Sequence, residues 1–290
     1  MSDSQIFVLD GGGSSCRAAL YGMDGREIGR ATGDFANLTS DFEASCHHVL
    51  EIIAATYNAA GLPPETSSRD KAVLGIAGAE FGDTARRMEP FLPFANATVM
   101  SDRQISIAGV LGDADGILAQ IGTGSFFVSR AGGRLVEAGG WGLTLGDECS
   151  GAWLGREVLR AALRAHDGVD PGSHLTSQIL ASHDHDPQAL VLYANSATPQ
   201  NFASMAPDIF AAAVAGDSIA GAIITRAVSD LEHILQAVSG GPDQPLYLCG
   251  GVGVHYAQML APVWRARLAE AQGDGLAGAL RIAQAQLKGG

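Results

Sequence analysis

Three predicted strands run into glycine-rich corners: Asp10-Gly11-Gly12-Gly13-Ser14-Ser15, Gly122-Thr123-Gly124-Ser125 and Gly250-Gly251-Val252-Gly253. Glycines at a strand end let main-chain N–H groups converge on an anion with no Cβ in the way, and neighbouring Ser and Thr hydroxyls add donors. Phosphate is the natural guest. Spacing argues against two commoner phosphate motifs. Gly11-x-Gly13-x-x-Cys16 lacks the third glycine of a dinucleotide fingerprint and leads into a strand where that motif needs a helix; no G-x-x-x-x-G-K-[ST] occurs. Singly, each corner also reads as an ordinary turn, since Gly supplies positive φ wherever a turn needs it. Together they favour a nucleotide held between two similar halves.

Carboxylates flank these corners. Asp10 ends a strand where a bound phosphate would repel it, a conflict that Mg²⁺ between the two resolves; a turn-capping Asp is the alternative. Asp102 ends the strand ATVMSD just ahead of a helical stretch. Ligands of open α/β sheets sit beyond the carboxyl ends of strands, which suits Asp102 to accept a hydroxyl proton during phosphoryl transfer; N-capping of the helix by Ser101 or Asp102 is the competing role. From Gly139 to Gly155 the chain reads GGWGLTLGDECSGAWLG, too glycine-rich for a strand. Trp141 followed by Asp147 and Glu148 suits a sugar, whose ring face stacks while its hydroxyls donate to carboxylates. The same acidic pair also suits a helix N-terminus.

The elements that must position these residues follow from periodicity. IFVLD, CRAALYG and REIGRA read as a β-meander, its second turn made by Asp24-Gly25. Phe42, Cys46, Val49, Leu50, Ile53 and Tyr57 mark a helix over 42–60 that stops at Gly61 and Pro63-Pro64. A strand (AVLGIAG), a helix near 83–91, the strand ATVM and a further helix give the alternation of a mostly parallel sheet. Near residue 116 the opening pattern returns, with Gly122 standing 111 residues after Gly11. The remainder reads as helices over 150–165, 202–215 and 217–239, the strand PLYLCGG and two closing helices. His183-Asp184-His185-Asp186 falls in a polar stretch between helical segments and reads as a solvated loop, because no second cluster completes a metal shell.

Bulk composition limits the partners. The 290 residues are 47% hydrophobic and 6% aromatic, with no run of eighteen apolar residues for a bilayer. A net charge of −13 disfavours nucleic acid, whose backbone needs a basic face. The opening MSDSQ has no basic n-region, so a cytoplasmic protein is expected. Cys16, Cys46, Cys149 and Cys249 form no C-x-x-C pair and read as small buried hydrophobes.

The chain resembles the N-acetylglucosamine kinase and BadF/BadG/BcrA/BcrD ATPase family of the actin, sugar kinase and Hsp70 superfamily. The resemblance is carried by LDGGGSSCRAAL, IGTGS, GGWGLTLGDECSGAWLGREVL, LCGGVG and the closing GDGLAGALRIA. It implies an α/β fold of two ribonuclease H-like (actin-like ATPase) domains with a nucleotide cleft between them. Residues 1–112 joined by the C-terminal helix (about 274–290) would form one, and 113–273 with a helical insertion the other. It implies ATP and Mg²⁺ as cofactors and transfer of the γ-phosphate to the 6-hydroxyl of glucosamine or N-acetylglucosamine; a homodimer is expected, and charge and hydropathy argue against nucleic-acid and membrane partners. On this resemblance Asp102 is the catalytic base and Asp10 holds Mg²⁺ through water. Gly11, Gly12, Gly13, Ser14, Ser15, Gly122, Thr123, Gly124, Gly250, Gly251 and Gly253 bind ATP and its phosphates. Asn37, Asp102, Thr123, Gly124, Ser125, Trp141, Gly142 and Asp147 contact the sugar. Two departures from the family pattern stand out: Arg103-Gln104 follow Asp102 where a small residue is usual, and Cys149 stands where many relatives carry Gly. The family's other branch, ATP-driven activators that bridge a dimer with a cysteine-held cluster, is the alternative; none of the four cysteines stands in the matching context.

Overall fold

The computed structural model describes residues 4–288. The chain opens with β1 (Gln5–Gly11), β2 (Cys16–Gly22) and β3 (Glu27–Gly33), then α1 (Phe42–Ala59), β4 (Lys71–Ile76), α2 (Thr84–Met88), β5 (Asn96–Met100) and α3 (Asp102–Val110). A second run gives β6 (Gly116–Ile121), β7 (Ser125–Ala131), β8 (Arg134–Gly139) and α4 (Gly151–His166). Five helices follow: α5 (His174–Ala181), α6 (Pro187–Ser196), α7 (Pro199–Ala203), α8 (Ala206–Val214) and α9 (Ser218–Val238). Last come β9 (Leu246–Cys249), α10 (Gly253–Tyr256), α11 (Pro262–Arg265) and α12 (Gly275–Lys288). The chain divides into two compact units, one of residues up to Ala114 together with those from Ala271, the other Asp115–Glu270.

In the first unit β1 lies at the centre of a five-stranded sheet of order β3-β2-β1-β4-β5, antiparallel to β2 and parallel to β4. Successive side chains of a strand point to opposite faces. Phe7 and Leu9 pack with Val49, Ile52 and Tyr57 of α1, while Ile6 and Val8 pack with Ile105 of α3 and Leu276, Ala279 and Ala283 of α12. A strand covered on both faces must be apolar at every position, which is why IFVL reads as an unbroken run. Each large side chain so buried contributes roughly 1.5 to 3 kcal/mol. The register aligns Asp10 with Gly75, and Gly75 with Met100. The carboxyl ends of β1, β4 and β5 therefore share one edge of the sheet, and Asp102 lies two residues beyond it. Helix α12 reaches α3 through glycines: a Cβ on Gly278 would lie 1.8 Å from the Ile105 carbonyl oxygen, and one on Gly109 would lie 1.9 Å from that of Asp274.

The second unit is built on a four-stranded sheet of order β8-β7-β6-β9, again a meander whose first strand takes a parallel neighbour. Its strand order matches β3-β2-β1-β4 of the first unit, and Gly12 and Gly122, each one residue past the last paired position of its strand, fall at equivalent points. Helix α9 buries Ala220, Ile223, Ile224, Ala227, Leu231, Leu235 and Val238, spaced by three and four, against Phe127, Trp153 and Leu246.

Several sequence expectations change in detail. The helix over 202–215 is two helices, α7 and α8, because Pro207 in the first turn of α8 has no N–H to continue a helical ladder. The stretch 83–91 is a short helix followed by a 3₁₀ turn at Glu89–Phe91, around Pro90. On α1 Leu50 faces solvent and Ile52 takes its place in the core. His183–Asp186 links α5 to α6, with Asp184 and His185 in left-handed backbone; Asp186 caps α6 and His183 packs on the Tyr193 ring. Among the described residues no single helix is long and apolar enough to cross a membrane.

Candidate active site

The first corner is a four-residue turn closed by the Gly12 N–H donating to the Ser15 carbonyl at 3.0 Å. Gly11 and Gly12 have ordinary negative φ, so positive φ is not what these two glycines supply. A Cβ on Gly11 would come within 2.9 Å of the Ala36 Cβ, whereas one on Gly12 would meet only the Ser15 carbonyl oxygen, at 3.4 Å. The space beside Gly12 is thus open. Gly13, Ser14 and Ser15 complete the turn at the surface side of the corner.

Asp10 stands on β1 opposite Arg17 on β2, and the Arg17 guanidinium holds its Oδ2 while reaching Asp274 Oδ2 at 2.9 Å with another nitrogen. Burial raises the Asp10 pKa, and Arg17 opposes that rise. The sequence reading missed Arg17. The signal was available: with Gly12–Ser15 as the turn, positions 10 and 17 must face each other across the hairpin.

At the end of β5, Ser101 is the N-cap of α3, its Oγ accepting the Arg103 N–H at 3.2 Å. Capping therefore falls to Ser101, and Asp102 occupies the first helical position with its carboxyl half-buried. Burial, then the nearby Glu80 and Asp10 carboxylates, push the Asp102 pKa up to about 7. Arg103, the departure from the family pattern, pairs with Glu80 at 3.9 Å. Gln104 is exposed.

Asn37 lies on the strap that crosses β1 and β4. Its main chain bridges Ala77, and the Ala36 N–H donates to the Gly12 carbonyl. Its Oδ1 accepts from the Thr39 N–H, the Thr39 hydroxyl and the Ser40 N–H. The oxygen is saturated, so the amide can address a ligand only as a donor through Nδ2.

In the second unit the β6–β7 corner is equally tight, Gly122 N–H donating to the Gly124 carbonyl. The first N–H groups of α4, from Gly151 and Ala152, donate back to the Gly122 and Thr123 carbonyls. A Cβ on Gly122 would meet nothing within 4 Å; one on Gly124 would lie 2.8 Å from Asp147 Oδ2. Gly124 is therefore small because Asp147 fills the space beside it. Ser125 is buried and its hydroxyl donates to the Glu148 carbonyl at 2.8 Å, so that proton is committed inside the unit.

Asp147 is buried in left-handed backbone, φ 58°, and accepts N–H donors from Ser125 and Gly142; burial still leaves its pKa raised. Gly142 is also left-handed, φ 80°. Trp141 is 69% exposed, so its ring presents a free face instead of filling the unit's core. Cys149 has φ 58° and its side chain lies in the core, while the Tyr256 hydroxyl donates to its carbonyl. That φ is the physical reason glycine suits the position. Cys149→Gly is expected to hold Tm within a few degrees, relief of backbone strain offsetting the lost thiol. Cys149→Val is expected to cost roughly 2 kcal/mol or more, because a β-branched side chain is least tolerant of this conformation; thermal melts of both variants check it.

At the third corner Gly250 has φ 83°, and a Cβ there would lie 2.3 Å from the Ile121 carbonyl oxygen. The Val252 N–H donates to that same carbonyl. The β6 and β9 corners are thereby fastened together, with Gly251 open and Gly253 starting α10.

A meander plus parallel strand, repeated in two units with glycine corners on the first strand of each, defines an α/β protein of the actin-like ATPase and sugar kinase fold. The chain belongs to the BadF/BadG/BcrA/BcrD ATPase family, whose sequence model matches residues 9–274. It is 28% identical to glucosamine kinase GspK from Vibrio cholerae, over 95% of this chain and 94% of that one. A crystal structure of a provisionally assigned N-acetylglucosamine kinase from Chromobacterium violaceum superposes with a TM-score of 0.89 at 34% identity, covering 98% of this chain and 100% of that one. A ROK family glucokinase from Streptomyces griseus, solved with glucose and AMPPNP, shares the fold at a TM-score of 0.55 and 14% identity, covering 97% and 100%.

Proposed function

We propose that this protein is an ATP-dependent amino-sugar kinase that transfers the γ-phosphate of ATP to the 6-hydroxyl of glucosamine or N-acetylglucosamine. The observation that carries the reading is Asp102: a half-buried carboxyl just beyond a strand end, at the first position of α3, with its pKa lifted towards neutrality. A base matched to working pH takes a hydroxyl proton most effectively. Asp102 accepts the proton of the 6-hydroxyl as that oxygen attacks phosphorus, and ADP leaves with the electrons of the broken bond. The space left open beside Gly12 in the first unit, and beside Gly122 and Gly251 in the second, would admit phosphate oxygens to the backbone of the corners. Asn37 Nδ2 would donate to a sugar hydroxyl, and Asp147 and the Trp141 ring would take the sugar's hydroxyls and apolar face.

The residues fit a magnesium ion in one way. Among the described residues no three His, Cys, Asp or Glu side chains cluster tightly enough to hold a metal alone. Asp10 offers one carboxylate, with Oδ2 engaged by Arg17, and this suits an ion held mainly by phosphate oxygens and water, as Mg²⁺ prefers. Such an ion would neutralise charge on the transferring phosphoryl group.

ADP release should be measured with glucosamine, N-acetylglucosamine, N-acetylmannosamine, N-acetylmuramic acid and glucose. At least one amino sugar is expected to exceed glucose roughly tenfold or more in kcat/KM, since a site built to pair the 2-substituent penalises its absence. Phosphorus NMR of the product should place the phosphate on the 6-oxygen. ADP release that no sugar stimulates would overturn the reading and favour an ATPase that acts on a protein partner.

A further inference from the structure

Between β8 and α4 the chain runs from Gly140 to Ser150 without regular structure, and its outer arc carries two exposed apolar side chains, Trp141 and Leu145 at 69% and 85%. The backbone of this arc is unusual, with Gly140, Gly142, Asp147 and Cys149 all left-handed. Such a segment has many alternatives and needs outside contacts to select one. The Ser125 and Tyr256 hydroxyls hold the Glu148 and Cys149 carbonyls at its far end, and two further side chains hydrogen-bond nearer the exposed arc. Asp147 accepts the Gly142 N–H near one end, and Arg156, one turn into α4, donates through a terminal nitrogen to the Leu143 carbonyl at the arc's centre.

Arg156 is itself aimed. Its Nε lies 3.4 Å from Glu157 Oε1, and Glu157 is a nearly buried carboxylate. Arg160 holds both Glu157 oxygens, at 3.0 and 3.3 Å, and Arg226 of α9 reaches Oε2 at 3.2 Å. The Arg226 guanidinium lies over the Trp153 ring. Three arginines on one buried carboxylate exceed what charge balance requires. The arrangement makes Glu157 a fixed post, with Arg156 as its arm towards Leu143.

We infer that Arg156 is a positioning residue for sugar selection: through the Leu143 carbonyl it sets the shape of the 140–148 arc, and thereby where Trp141 and Asp147 meet the sugar. This rests on the amino-sugar reading of that arc. Lysine keeps the charge and can reach a carbonyl with a single donor, whereas methionine keeps only the stem.

The test uses full-length Arg156→Met and Arg156→Lys, with Glu157→Gln as a milder disturbance of the aim. Arg156→Met is expected to raise KM for the best amino sugar at least tenfold while KM for ATP stays within twofold; Arg156→Lys recovers most of the loss. A readout independent of turnover is fluorine NMR of protein labelled with 5-fluorotryptophan, the Trp141 signal identified by Trp141→Phe. That signal should narrow and move towards free tryptophan in Arg156→Met, with the buried Trp264 signal unmoved as a fold control. A lowered Tm with both KM values and the Trp141 signal unchanged would overturn the inference, as would equal rises in both KM values. If the wild-type protein phosphorylates no amino sugar, the amino-sugar reading fails, and the fluorine signal alone then decides whether Arg156 holds the arc.

Discussion

Asp102→Asn is expected to fold, bind ATP normally and lose roughly 10²- to 10⁴-fold in kcat, the range for removing a general base. In the wild-type protein kcat/KM should climb with pH through about 7, where the Asp102 carboxyl ionises, and level above it. The variant should lack that limb. Stability should move the opposite way. A carboxyl whose folded pKa lies above its unfolded one binds more protons when folded, so stability falls as pH rises between the two values and is constant above both. Replacing Asp102 removes this cost. The variant should therefore melt higher than wild type at pH 8 by roughly 1 to 2 kcal/mol, after allowing for solvent screening of a half-buried group, and show no gain near pH 4. Stopped-flow turnover and paired melts at the two pH values check both halves; near-wild-type turnover in the variant would reduce Asp102 to a helix residue.

The second large effect concerns backbone access to phosphate. Gly12→Val and Gly122→Val place a branched side chain in space that the protein itself leaves open. Each is expected to cost little in Tm and to weaken ATP binding by roughly 30-fold or more, since the branches occupy the approach to the corner N–H groups. Calorimetry with ATP checks it, and unchanged affinity in both would return these corners to plain turns. Gly124→Val belongs to another class: its Cβ meets the Asp147 carboxylate, so it should disturb the 140–148 arc as well.

How far these features are legible in the sequence depends on whether their cause is local. β1 is legible because burial on both faces leaves no choice but apolar residues, and the hairpin at Asp24-Gly25 because Gly25 takes positive φ. Asp102 is legible as a strand-end carboxylate. What separates it from a cap is that α3 begins one residue earlier, with Ser101 as the N-cap, a matter of local geometry rather than residue type. Partners distant in the chain stay hidden: Arg17 meets Asp274 across 257 positions, and the Ser125 hydroxyl is consumed by the Glu148 carbonyl 23 positions on. The 202–215 segment misleads for a simpler reason. Apolar spacing continues smoothly through a proline that the hydrogen-bond ladder does not tolerate.

The close approach of α12 to α3 bears on how the polypeptide is made. Residues 115–270 form a contiguous unit and have every strand and helix they need once synthesised to that point. The earlier residues do not. Until residues 275–283 leave the ribosome, the Ile6, Val8 and Ala19 face of the first sheet has no Leu276, Ala279 or Ala283 to cover it. The unit begun earlier is therefore expected to finish folding after the later one, with loop closure across the whole of the later unit as part of its rate. During that interval the nascent chain carries an apolar sheet face covered only in part, by α3, the kind of surface chaperones bind. A ribosome stalled or a message cut short before Gly275 would release a protein with one finished unit and one exposed sheet. Helix α12 thus completes the first unit, and its glycines at 275 and 278 let it seat at backbone distance.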